Sequence, residues 1–247
     1  MSETVHHQHP LYFIHSLREY VISPVSTATR LIEKERSEIT AELEAFREFR
    51  DRINTIDAVE RTPPRYPGDR YERQNVGKKP IDRVRSAYRD TVMDTAHYEE
   101  VYDEQLVEHM TQELGPDVAE GLRIDTSVVF TPPYKMAIVT GATRAVASRK
   151  KFIETLDEEA TSIETAKTTL TDVLAALDTT AVPEWHCEPF NERVTDIAQR
   201  RQNELQEKSA LPQLDEYSLY EYLYPEEQWT FPVLTAIARL RESVDTN

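Results

Sequence analysis

Apolar residues recur between 138 and 177 in alternating steps of four and three. The positions are Ile138, Ala142, Ala145, Arg149, Phe152, Leu156, Glu159, Ile163, Ala166, Leu170, Val173 and Leu177, and ten of the twelve are apolar. A seven-residue repeat held over 40 residues predicts one long helix packed in coiled-coil fashion, about 60 Å long at a rise of 1.5 Å per residue. Arg149 and Glu159 interrupt this seam. Charged residues on an apolar stripe fit register-setting positions that meet partners on neighbouring helices, the alternative being a place where the bundle opens to water.

Similar stripes predict further helices, with proline as punctuation because it fits poorly inside a helix. Ile32, Ile39, Phe46 and Ile53 recur every seven residues and predict a second long helix from Pro24 to about Val59. Ile81, Val84, Tyr88, Val92, Leu106, Met110 and Leu114 predict a third from Pro80 to Leu114, with Gly115-Pro116 as its stop. A fourth is predicted from about Pro189 to Lys208 through Val194, Ile197, Ala198 and Leu205. Short helices are expected at Leu11–Ile22, Pro116–Leu122, Ser218–Leu223 and Pro232–Val244. The expected fold class is all-α: one helical domain over residues 1–247, an elongated antiparallel bundle with coiled-coil-like long helices.

The halves also echo each other. Ala28-Thr29-Arg30 matches Ala142-Thr143-Arg144 at a separation of 114, and Ile53, Ile56 and Asp57 match Leu174, Leu177 and Asp178 at 121. The difference of seven residues leaves a buried seam in register. A duplicated helical hairpin, residues 24–130 and 134–244, is the corresponding expectation.

Charge changes the picture next. The 247 residues include 45 acids against 29 bases, for a formal net charge of −16, and the bases are 21 Arg and 8 Lys. Such a Lys-poor, acidic surface suits concentrated salt, where the Debye length shrinks to about 3 Å at 1 M and self-repulsion is screened. It also disfavours general attraction to nucleic acid or anionic lipid. One cysteine rules out an internal disulfide framework, and no apolar run approaches a membrane span. No signal peptide is visible in MSETVHHQHP, so a cytoplasmic location is expected, with no membrane partner.

The charge is uneven. Residues 61–89 hold nine bases against three acids, +6, which leaves the other 218 residues at −22. Tyr66 and Tyr71 are interleaved with Arg65, Arg70, Arg73, Lys78 and Lys79. Arginine mixed with aromatics in a loop fits a nucleic acid or another polyanion, while the structural alternative is docking against the acid-rich helices. Asp94-x-x-His97 shares a predicted helix face with Glu104 and Glu108, which suggests a metal site, although no second Glu-x-x-His completes one. Tyr217, Tyr220, Tyr222, Tyr224 and Trp229 form an aromatic and acidic run that docks a protein partner if exposed and caps the bundle if buried. The His cluster at the N-terminus and the His186-Cys187 pair lack the surroundings that would make either a site.

No phosphate-cradling Gly-rich loop, nucleophile elbow or zinc motif is present, so neither an enzyme nor a cofactor has positive support. With Ala142-Thr143-Arg144, Pro183-Glu184-Trp185 and the acidic composition together, the chain resembles uncharacterised helical proteins of halophilic archaea. That resemblance implies a salt-rich cytoplasm and supplies no functional residues. The leading expectation is a non-catalytic helical scaffold or interaction protein that binds a protein partner or itself. The alternatives are an anion- or nucleic-acid-binding regulator using the 61–89 loop and a metal-dependent bundle enzyme using the Asp94/His97 face.

Overall fold

A computed structural model describes residues 10–60, 79–98, 105–124, 126, 128–179, 187–207 and 219–245. Among them every regular element is helical: α1 (Pro10–Asn54), α2 (Pro80–Arg89), a 3-10 turn (Val92–Asp94), α3 (Leu106–Leu114), α4 (Pro116–Gly121), α5 (Pro132–Thr179), α6 (Cys187–Glu207), α7 (Leu219–Leu223) and α8 (Pro232–Asp245). The fold is all-α, as the periodicity predicts, with long helices packed against other helices. None of the described helices is long and apolar enough to cross a membrane.

Packing divides the chain into two compact units: a middle unit, Ser37–Glu154, and a terminal unit made of Met1–Arg36 with Thr155–Asn247. The division runs through α1 and α5, so each unit takes part of both long helices and adds short ones. It does not follow the boundary between residues 24–130 and 134–244. In the middle unit α1 and α5 run antiparallel, since Glu42 meets Arg149 and Asn54 meets Lys135; in the terminal unit Arg36 of α1 meets Asp157 of α5 at 2.5 Å.

The α5 seam is buried as expected. Ile138, Ala142, Ala145, Leu156, Ile163, Ala166, Leu170 and Val173 are all within the core. In the middle unit the seam meets Phe46, Phe49 and Ile53 of α1, Val84 and Tyr88 of α2, and Met110 and Leu114 of α3. Tyr88 packs edge-on against both Phe46 and Phe49. Each such aromatic contributes about 1.5–3 kcal/mol through burial. In the terminal unit Val21, Val25, Ala28 and Ile32 of α1 are buried, with Val194 and Ile197 of α6 and Val233, Ala236, Ile237 and Leu240 of α8.

Two predicted boundaries need correction. The break at Pro24 is absent, because α1 runs from Pro10 to Asn54 with Pro24 inside it. Proline has no N–H, so the Tyr20 carbonyl loses its partner four residues on. Arg239 of α8 supplies the replacement, donating from Nη1 to the Tyr20 carbonyl at 2.8 Å while its guanidinium lies 4.6 Å from the Tyr20 ring centroid. The second correction concerns the helix predicted from Pro80 to Leu114. It stops at Arg89, and the backbone leaves helical geometry at Thr91 (φ −131°, ψ −74°). The reason is present in the pattern: the three-and-four step of Ile81, Val84 and Tyr88 next meets Thr91 and Thr95, so the apolar stripe is broken at the point where the helix ends.

Helix ends are closed by cations. Lys135 Nζ donates to the Asn54 and Ile56 carbonyls at 2.9 Å each, closing the end of α1. Arg85 donates to the carbonyls of Leu122, at 2.6 Å, and Arg123, just past α4. These carbonyls have no intrahelical donor, and the negative end of the helix dipole favours a cation there. Gly115, at φ 96°, makes the turn between α3 and α4 that L side chains resist. At Gly121 a Cβ would collide with the Tyr134 hydroxyl, which donates to the Val118 carbonyl at 2.6 Å.

Candidate functional site

Among the described residues, two clusters of polar side chains stand inside this apolar framework, one in each unit. The cluster in the middle unit is centred on Arg149. Its Nε donates to Glu42 Oε2 at 2.7 Å, and its two terminal nitrogens donate to the two oxygens of Glu113 at 2.9 and 2.7 Å. The guanidinium also lies 4.4 Å from the Phe46 ring centroid. Burial works against the charged form, but the hydrogen bonds and charges of Glu113 and Glu42 outweigh it and hold the Arg149 pKa above the ordinary arginine value. The other oxygen of Glu42, Oε1, lies 3.0 Å from His97 Nε2. Nearby, the Tyr88 hydroxyl and His109 Nδ1 are hydrogen-bonded at 2.8 Å, and the His109 ring packs edge-on against Tyr98.

The cluster in the terminal unit is centred on Glu159, which is 0% exposed. Both of its oxygens accept from Arg201, itself 3% exposed. Arg201 Nη1 also donates to Ser162 Oγ at 2.7 Å, and Ser162 donates to Glu204 at 2.5 Å. The Tyr220 ring lies 5.5 Å from the Arg201 guanidinium. Burial first, and then the charge of Glu159, pushes the Tyr220 and Tyr224 phenols well above their ordinary pKa.

Arg149 and Glu159 therefore have the partners that their seam positions predict. Their partners also stand on helix stripes, although only the packing shows which they are. Glu42 falls on the stripe Ile39, Phe46, Phe49 and Ile53, and Arg201 lies four residues after Ile197 on the stripe of α6. Nothing in the local pattern marks Glu113, His109 or Tyr88 as polar partners.

The other predicted positions separate. Arg65, Arg70, Arg73 and Lys78 lie outside the described residues, and Lys79 is exposed just before α2. Asp94 is exposed on the 3-10 turn, whereas His97 is buried against Glu42, so they do not share the face that an unbroken helix would give them. Glu104 lies outside the described residues, and Glu108 is exposed on α3. Among the described residues no group of three or more His, Cys, Asp or Glu side chains is arranged to hold a metal ion. Tyr217 lies outside the described residues. Tyr220 and Tyr224 are buried, at 2% and 3% exposure, and serve the core of the terminal unit rather than a docking face. Tyr222 is exposed and donates to Glu35 at 2.6 Å, and Trp229 is half-buried with its ring 5.1 Å from that of Tyr224.

A different exposed apolar group stands out in the middle unit. Ile124 is 82% exposed and Met136 64%, and Val59, Val128 and Val129 are exposed as well. The Val59 amide donates to the Phe130 carbonyl at 2.8 Å, which ties the residues after α1 to those before α5.

Comparison with known proteins gives one result. No curated protein and no solved structure matches the chain. A family model matches residues 23–247. The chain belongs to that family, a domain of unknown function, DUF7260.

Proposed function

We propose that this protein is a non-catalytic helical scaffold that works by binding another protein chain. The observation that carries this reading is the exposed apolar group Val59, Ile124, Val128, Val129 and Met136 on a chain of net charge −16. Exposed apolar residues grouped around one connection on an acidic surface suit a contact with another protein. The charged groups in the core support the same reading, because Arg149 and Arg201 are engaged by Glu42, Glu113 and Glu159 in structural ion pairs. The excess acid supports a salt-rich setting for that role.

Light scattering on the purified chain in molar KCl, combined with pull-downs, tests the proposal. The expected result is a mass above that of one chain, or a specific protein partner. Either is lost when Val128→Gln and Met136→Gln are introduced together. A strict monomer without a partner overturns the reading, as does association that the two substitutions leave unchanged.

A further inference from the structure

The terminal unit holds a groove of about 310 Å³ between α5 and α6, lined on one side by Thr161, Thr165 and Thr169 and on the other by Arg200 and Glu204. That volume lies at the small end of ligand pockets. The three threonines stand one helical turn apart. Each hydroxyl donates to the carbonyl four residues back: to Asp157 at 2.8 Å, to Thr161 at 2.8 Å and to Thr165 at 2.9 Å. With their protons used inside the helix, these oxygens offer lone pairs to anything else that approaches.

On the α6 side the two charges are in different states. Glu204 Oε2 is held by Ser162 and Arg201, while no described residue engages its Oε1. Arg201 is saturated by Glu159, Ser162 and Glu204, so it has no fork to give a ligand. Arg200 is exposed, and no described residue pairs with it. Glu204 is its natural partner at i+4 but is turned toward Arg201 instead. Ala166 and Ile197 supply apolar surface in the same groove.

We propose that this groove binds a small zwitterion, an ω-amino carboxylate whose ammonium and carboxylate are separated by a short methylene stem. The carboxylate takes the guanidinium fork of Arg200. The ammonium, a pure donor, sits among Glu204 Oε1 and the threonine oxygens, and the stem lies along Ala166 and Ile197. Arg200 and Glu204 stand one helical turn apart, with Cβ atoms about 5–6 Å from each other, so a stem of a few methylenes serves to span them and γ-aminobutyrate is the probe of that length. The inference concerns the terminal unit and does not depend on the apolar contact proposed for the middle unit.

Equilibrium dialysis of labelled γ-aminobutyrate against the full chain, at low and at molar KCl, tests it. Saturable binding of one ligand per chain is expected, with butyrate and butylamine as poor competitors. Arg200→Gln should weaken binding about tenfold or more, and Thr165→Val should weaken it by a smaller factor. Both positions are exposed, and helical circular dichroism should be unchanged. The proposal is overturned if γ-aminobutyrate shows no saturable binding at either salt. It is equally overturned if butyrate or butylamine alone binds as well, or if both variants bind like the wild type.

Discussion

Pro24 and Arg239 should be energetically coupled although 215 positions separate them in the chain. A proline inside a helix costs about 3 kcal/mol, part of it from the carbonyl left without a donor. Arg239 supplies that donor at 2.8 Å and also lies over the Tyr20 ring. A buried hydrogen bond to a charged group is worth about 1.5–3 kcal/mol. This one is near the surface, so its share is taken as about 1 kcal/mol, with about 0.5–1 kcal/mol for the ring contact.

Arg239→Met keeps the stem and removes the donors, so it should destabilise the terminal unit by about 1–2 kcal/mol. Pro24→Ala restores an N–H to the Tyr20 carbonyl, so in that background Arg239→Met loses only the ring contact. Any packing lost with the proline ring is common to both backgrounds and cancels in the cycle. Urea denaturation followed by far-UV circular dichroism on the wild type, both single variants and the double variant should give a coupling of about 1 kcal/mol. Additive effects within about 0.3 kcal/mol would falsify the claim that Arg239 compensates for the proline.

Two further expectations follow from the same kind of accounting. Arg201→Met removes the cation that faces Glu159, which is 0% exposed, so a loss of about 3–5 kcal/mol is expected in urea denaturation. Most of it should return when Glu159→Gln is added, and no recovery would mean that the pair is not the cause. Alkaline pH should also weaken the fold. Burial raises the Tyr134 phenol from 10.0 to about 12 and holds Tyr220 and Tyr224 above their ordinary range. For each, the folded state keeps a proton that the unfolded state releases. The stabilisation is therefore full below pH 10 and declines as pH rises toward 12 and beyond. A denaturation midpoint unchanged from pH 9 to 12 would contradict this.

The sequence by itself determined the helical class, the long α5 with its two charged interruptions, and the Gly115-Pro116 stop. These depend on the helical period and on residues whose backbone preferences act within one turn. It also showed that Arg149 and Glu159 needed partners, since a charge on a buried seam is too costly to stand alone. Only the tertiary structure decided who those partners are. Glu42 is 107 residues from Arg149, and Arg201 is 42 from Glu159.

The same distinction explains the corrected positions. Proline breaks a helix unless a remote donor replaces the missing N–H, and Arg239 arrives from the other end of the chain. The stretch after Val92 has carboxylate spacing suited to a helix, but the apolar stripe of α2 is interrupted at Thr91 and Thr95 and the helix ends, so Asp94 is exposed while His97 turns inward. The tyrosines of the C-terminal run look alike in sequence. Two are buried near Glu159 and Arg201, while Tyr222 reaches Glu35 at the surface, a distinction set by the packing of α7 rather than by composition.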